Sequence, residues 1–304
     1  MNRKLVLYRC ALTTAMGYYI LAQFALGGDP ANSVSAYTIH RALPFSETAK
    51  DLRLDLYVPN EAAQPVPCVI VIQGGGFLPQ DGQRFRPFAE CLAKNGLAAA
   101  LISYRGRPDH TYRDTIADTK ATVRFVRCVS KQYHIDPERI GATGRSAGGT
   151  LAALLAVTGG MEEFEGDGGH PEFSSRIQAA VAFAGVFDFV TRFTDEQQIA
   201  LQPKYKAKIQ TNGQWIGTPF SAEDRDWLNA SAIRHVDKGD APTLFLHCKD
   251  DATVPWPQSR DMCERMKAAG VRSEVKYYDT GGHGFSGLAE GPMEEMVRFF
   301  RETL

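Results

Sequence analysis

Gly144-Arg145-Ser146-Ala147-Gly148 stands between an apolar run over 139–143, whose spacing predicts a strand, and an alanine- and leucine-rich run over 150–157, which predicts a helix. The five residues match G-x-S-x-G, a sharp strand-to-helix turn that holds a serine hydroxyl in the open. A serine hydroxyl attacks poorly unless it is presented beside a base. The turn is crowded, so small residues are needed on both sides of the serine, and Gly144 and Gly148 supply them. Ala147 and Gly149 keep the start of the helix slim, so its first N–H groups and its dipole can face developing negative charge. A glycine-rich helix start can also be plain packing, so the reading depends on what the rest of the chain provides.

Upstream, Cys68-Val69-Ile70-Val71-Ile72 is a continuous, mainly β-branched run, the pattern of a strand covered on both faces. It leads into Gln73-Gly74-Gly75-Gly76-Phe77, where glycines leave main-chain N–H groups uncovered. Such a loop can cradle an oxyanion, or it can be only a flexible turn. Residues 36–40 and the alternating 51–58 predict antiparallel strands, 87–95 a short helix closed by Gly96, 97–104 a strand and 113–133 a helix.

Downstream, the acidic, glycine-containing stretch 159–175 lacks the spacing of an EF-hand and reads as a solvated loop. A strand over 178–185 follows. Over 190–239 the strand–helix rhythm fails while Phe193, Tyr205, Trp215 and Trp227 accumulate, which predicts a small cap of weak helices over a pocket. Strands over 242–247 and 273–278 frame a helix over 259–269, and a helix over 292–303 closes the chain. This alternation predicts an α/β fold with a mainly parallel central sheet and helices on both faces. Sites in such sheets gather outside the carboxyl ends of the strands, where the 73–76 loop, Ser146, Asp251 and His283 all fall.

The chain has 304 residues, 44% of them hydrophobic, enough for one large domain, expected over 36–304. A net charge of -1 carries no polyanion-binding signature, so nucleic acid is not an expected partner. Asn2-Arg3-Lys4 followed by an apolar body over 5–26 predicts a signal peptide over 1–28, hence a secreted or periplasmic protein, against the alternative of an amphipathic N-terminal helix. Arg9, Thr13, Thr14 and Gln23 interrupt that body, which disfavours a stable membrane span. The six cysteines form no C-x-x-C pair and no zinc-type spacing with histidine, and no metal or organic cofactor is expected.

Serine, acid and histidine occur in the order of the α/β-hydrolases. From about Tyr37 onward the chain resembles an α/β-hydrolase of the esterase/lipase type, close to the hormone-sensitive-lipase-like and carbohydrate-ester esterase groups. The anchors are Gln73-Gly-Gly-Gly-Phe77, Gly144-Arg-Ser-Ala-Gly-Gly149, Asp251-Ala-Thr-Val-Pro255 and Gly282-His-Gly-Phe285. The resemblance implies Ser146 as nucleophile, His283 as base, and an oxyanion hole from the N–H groups of Gly75, Gly76 and Ala147. Gln73 stands where HGGG-type loops carry histidine. The D-x-x-V-P spacing of the family puts the acid at Asp251; composition alone leaves Asp250 open. Phe77 and Arg145 are expected to line the substrate side.

The remaining histidines, His40, His110, His134, His170, His235 and His247, read as structural or surface residues. The stretch Glu165-Gly-Asp-Gly-Gly-His-Pro171 with Ser174-Ser175-Arg-Ile-Gln178 is similar to secreted bacterial esterases that act on polysaccharide side-chain esters. The expected function is a serine carboxylic-ester hydrolase that removes acetyl or other acyl groups from a small acyl ester or an acylated carbohydrate. The alternatives are a general short-chain carboxylesterase or lipase-like enzyme and, from another class, a non-catalytic binding protein on the same fold.

Overall fold

Strands β1 Tyr37–Pro44, β2 Arg53–Pro59, β3 Val66–Ile72, β4 Ala98–Ile102, β5 Ile135–Arg145, β6 Ala179–Phe183, β7 Thr243–Cys248 and β8 Ser273–Tyr278 form one sheet in the order β1-β2-β4-β3-β5-β6-β7-β8. The computed structural model describes residues 35–79, 82–288 and 291–304, so the predicted signal segment and Cys10 lie outside the described residues. The pairs β1–β2 and β2–β4 are antiparallel and all later pairs are parallel, in line with the mainly parallel sheet expected from the sequence. Among the described residues, no helix is long and apolar enough to cross a membrane.

The helices are α1 Arg86–Lys94, α2 Tyr112–Val129, α3 Ala147–Val157, α4 Thr191–Thr194, α5 Glu196–Ala200, α6 Tyr205–Ile216, α7 Arg225–Asn229, α8 Pro257–Ala268 and α9 Gly291–Thr303. Strand β3 shows why its run has no polar alternation. Cys68, Ile70 and Ile72 enter the apolar cluster that holds residues of α2, α3 and α8, whereas Val69 and Val71 enter the one that holds residues of α1 and α9. Helix α3 is buried along its whole length, as its all-round apolar sequence requires.

Two boundaries differ from the sequence expectation for physical reasons. Helix α2 starts with a capping box between Thr111 and Asp114 and stops at Val129, four residues early, because the chain must turn through His134 at φ 56° to enter β5. Strand β5 is longer than its apolar run because Ile135 already pairs with Val66 of β3.

The stretch 190–239 holds the short helices α4, α5 and α7 and one longer helix, α6. Trp215 and Trp227 are fully buried, and both join the main core along with Phe193 and Ile216. Burying one such aromatic side chain removes on the order of 200 Å² from water, about 5 kcal/mol as an upper bound. Weak helices are therefore held down by their aromatic residues rather than by their own propensity.

The parallel register sets the geometry of the rim. Ile72 pairs with Gly144, Arg145 with Phe183, Phe183 with Leu246, and Cys248 with Tyr278. The segments that follow β3, β5, β7 and β8 therefore leave from one edge, and they carry the 73–77 loop, Ser146, Asp251 and His283.

Candidate active site

Ser146 is the pivot between β5 and α3, with φ 61° and ψ -123°. A non-glycine residue in that region costs on the order of 1–3 kcal/mol and persists only where the surroundings enforce it. The enforcement is visible: Ser146 N–H donates to the Phe183 carbonyl at 2.8 Å, and the Ser146 carbonyl accepts from Thr150 N–H at 3.0 Å. The flanking glycines are sterically required. A Cβ on Gly144 would stand 2.4 Å from the Ile72 carbonyl oxygen, and one on Gly148 would stand 2.1 Å from the same atom. The elbow is thus packed directly against the end of β3.

The glycine loop meets the elbow from the other side, since a Cβ on Gly74 would lie 2.4 Å from the Arg145 carbonyl oxygen. Gly75, Gly76 and Phe77 all take positive φ, 112°, 64° and 64°. Gln73 is fully buried, and its carbonyl accepts from the Tyr104 hydroxyl at 3.1 Å. Phe77, expected to line the substrate side, is buried and stacks face to face on Trp215 of α6 with ring centroids 3.6 Å apart. Arg107 closes the outside: its main-chain N–H donates to the Phe77 carbonyl at 2.9 Å and its Nε to the Gly76 carbonyl at 2.6 Å.

The two neighbouring aspartates take separate places. Asp251 Oδ2 accepts from His283 Nδ1–H at 2.7 Å, while its Oδ1 accepts from the N–H groups of Thr253 and Val254 at 2.8 and 3.0 Å. Asp250, the alternative acid, instead accepts from the N–H groups of Gly281 and Gly282 at 3.2 and 2.8 Å. One carboxylate therefore holds the imidazole and the other holds the strained loop, Gly281 at φ 122° and Gly282 at φ 56°, that carries it. Arg145 ties this loop to the elbow by donating from Nη1 to the Gly284 carbonyl at 2.8 Å.

His247 is buried, as its place at the end of a strand suggests, yet it also touches the site. Its Nε2 lies 3.0 Å from the Val254 carbonyl, which can only accept, so Nε2 carries the proton and Nδ1 accepts from the Ser259 hydroxyl at 2.7 Å. The same Nε2 is 3.4 Å from Asp251 Oδ2. Burial pushes the Asp251 carboxyl up, but hydrogen bonds to His247 and His283 outweigh it and hold the group well below the usual carboxylate range. No motif marks His247; only its position four residues before the acid could have drawn notice.

Two further positioning residues have no sequence signature. Gln258, fully buried, accepts from the N–H groups of Phe187 and Asp188 at 2.7 and 2.8 Å and donates to the Asp188 carbonyl at 3.0 Å. Arg192 donates to the Thr253 carbonyl at 2.7 Å, fastening the acid loop to α4. The acidic stretch is not solvated throughout: Glu165 pairs with the buried Lys120 and Arg124 at 2.9 and 2.7 Å. Among the described residues, no group of three or more histidine, cysteine, aspartate or glutamate side chains is placed to hold a metal ion.

The BD-FAE family profile matches residues 54–266, spanning β2, the elbow and the acid loop. The chain belongs to the BD-FAE family. Among curated relatives, "Probable carboxylic ester hydrolase LipM" of Mycobacterium tuberculosis is 31% identical over 66% of this chain and 45% of its own length. Esterase LipC of the same organism is 27% identical over 78% of this chain and 58% of its own. The chain spans about half the length of these relatives. Among solved structures, a truncated carbohydrate esterase from gut microbiota superposes with a TM-score of 0.77 at 26% identity, covering 89% of this chain and 98% of that one. A thermophilic esterase of Thermogutta terrifontis gives 0.69 at 25%, covering 89% and 96%. The BD-FAE chain therefore has the α/β-hydrolase fold of the esterases.

Proposed function

We propose that the chain is a serine carboxylic-ester hydrolase whose natural substrates are acylated carbohydrates. The observation that carries this reading is the Asp251–His283 hydrogen bond at 2.7 Å, on a loop fastened through Arg145 to the residue preceding Ser146. Because Nδ1–H is engaged by Asp251, His283 Nε2 keeps its lone pair and can act as base. Ser146 Oγ attacks the ester carbonyl carbon as its proton passes to Nε2. The resulting oxyanion is held by the N–H groups of Gly75, Gly76 and Ala147. Collapse breaks the bond to the alcohol oxygen, which leaves with the proton from Nε2. Water then repeats the attack on the acyl-serine, releases the carboxylic acid and restores the hydroxyl.

The carbohydrate part rests on the likeness in fold to a carbohydrate esterase and on the stretch 165–178. The general short-chain carboxylesterase is the second reading, favoured by the likeness to esterases with no sugar in their names. Assays on p-nitrophenyl acetate and on acetylated xylan separate the two. Turnover of both supports the carbohydrate esterase, turnover of the first alone supports the general esterase, and turnover of neither supports the binding protein.

Asp250→Ala should lower kcat/KM on p-nitrophenyl acetate about 10- to 100-fold, because Gly281 and Gly282 lose their acceptors and the imidazole drifts. Asp250 is exposed, so the melting temperature should hardly change. Asp250→Asn keeps one carboxamide oxygen as acceptor and should restore most of the rate. Equal losses in the two variants would show that the negative charge matters rather than the hydrogen bonds.

A further inference from the structure

Gly74, Gly75 and Gly76 give the loop after β3 no side chains to anchor it, so what holds their main chain decides where their N–H groups point. Residues 75, 76 and 77 follow one another at positive φ, and a peptide plane between glycines turns over at little steric cost. Such a flip would aim a carbonyl at the place where an oxyanion must sit and turn an N–H away from it. The start of the loop is tied down by the Tyr104 hydroxyl on the Gln73 carbonyl, and its end by the stack of Phe77 on Trp215. The stretch between falls to Arg107, which takes two successive carbonyls. Its Nε donates to the Gly76 carbonyl at 2.6 Å and its main-chain N–H to the Phe77 carbonyl at 2.9 Å.

Arg107 is itself gripped from both sides. On one side, Arg105 N–H donates to Asp118 at 2.8 Å and the Arg105 carbonyl accepts from the Thr115 hydroxyl at 2.7 Å, so α2 fixes the main chain that leads to residue 107. Gly106 lets that chain come close, since a Cβ there would stand 2.0 Å from the Phe77 carbonyl oxygen. On the other side, Arg107 Nη1 donates to Gln214 Oε1 on α6 at 2.7 Å. The next residue of α6, Trp215, stacks on Phe77 and donates from Nε1 to the same Thr115 hydroxyl at 3.0 Å. Consecutive residues of α6 therefore reach the glycine loop by two routes, one through the arginine and one through the phenylalanine. A stretch whose sequence predicts a cap is thereby joined to the loop beside the serine.

We propose that Arg107, braced by Gln214 of α6, is a positioning residue for ester hydrolysis that keeps the 74–77 loop in the setting where the N–H groups of Gly75 and Gly76 face the substrate carbonyl oxygen. This rests on the esterase reading and adds to it a residue that touches no reacting atom. A guanidinium suits the task because its donors are fixed in one plane, so holding Gly76 with Nε and Gln214 with Nη1 sets the tilt of the peptide between Gly76 and Phe77. An ammonium on a flexible stem makes the contact without setting the angle.

Arg107→Met should lower kcat on p-nitrophenyl acetate about 10- to 100-fold with KM nearly unchanged, because the oxyanion forms on the way to the transition state and is absent from the bound ester. The affinity of a trifluoromethyl ketone, whose adduct with Ser146 carries a like oxyanion, should fall by a similar factor. The melting temperature should hardly move, since both side-chain contacts are solvent-exposed. Arg107→Lys should recover part of the loss. Gln214→Ala should lower kcat about three- to tenfold, and Gln214→Glu, which keeps an acceptor, should lose less. Should Arg107→Met fail to fold, the exposed Gln214 decides by itself, and a Gln214→Ala kcat equal to that of the wild type would overturn the role. A wild-type kcat in Arg107→Met, or a loss carried by KM with the ketone affinity intact, would overturn the positioning role and leave the esterase reading standing. No ester turnover by the wild type would overturn the esterase reading and the role with it.

Discussion

Ser146→Ala is expected to lower kcat on p-nitrophenyl acetate by on the order of 10⁵- to 10⁶-fold while shifting stability by less than about 1 kcal/mol. The stability half of this expectation follows from the backbone. What holds position 146 at φ 61° is main-chain bonding to Phe183 and Thr150 and the contact of Gly144 and Gly148 with the Ile72 carbonyl, none of which involves the hydroxyl. The elbow therefore survives the loss of its side chain. The activity half follows from the bond that forms: without Oγ there is no acyl-enzyme, and water must attack the substrate directly. His283→Ala should cost nearly as much, and the double variant should be hardly worse than either alone, because nucleophile and base act as one unit. A steady-state assay with thermal melts of the three variants checks this. Losses that multiply in the double variant would mean that the two side chains act independently, which the proposed proton transfer forbids.

What could be read from the chain and what could not follow from the same physics. The strand-like runs over 68–72, 139–143 and 242–247 are apolar because both faces of the sheet are covered, and short-range pattern is enough to detect that. The elbow and the glycine loop are legible because backbone crowding admits few residue types, so the constraint is written locally. Asp250 and Asp251 could not be separated by residue chemistry, since their difference lies in which N–H groups reach them from residues 281–283. His247 and Arg192 were invisible for the same reason: each acts through contacts made after β7, α4 and the acid loop have come together. The stacking of Phe77 on Trp215 is equally invisible in the chain, because the two residues are distant in sequence. The segment 190–239 reads as a small cap because its helices are weak, and that Trp215 and Trp227 join the main core depends on contacts distant in sequence.

Asp251→Asn should lower kcat about 10⁴-fold with little change in KM, and it should also flatten the acid side of the stability curve. The carboxamide is nearly the same size, and its oxygen can still accept from the N–H groups of Thr253 and Val254. Its NH₂ group then takes the place of Oδ2 and meets two donors, His283 Nδ1–H and His247 Nε2–H. His283 escapes that clash by moving its proton to Nε2, the tautomer that cannot accept from Ser146. The stability effect has a definite sign. The folded Asp251 carboxyl is held below its unfolded value near 3.9. The stabilisation it contributes is therefore complete above about pH 5 and is lost as pH falls through 4 toward the folded value. The asparagine variant has no such proton to take up. Urea melts of wild type and Asp251→Asn at pH 7, 5, 4 and 3 should show the wild type losing more stability than the variant between pH 5 and 3, a difference specific to this group because every other carboxylate is shared. Parallel losses would mean that His247 and His283 do not depress the carboxyl. The kinetic defect would then have to come from a displaced imidazole rather than from a misplaced proton.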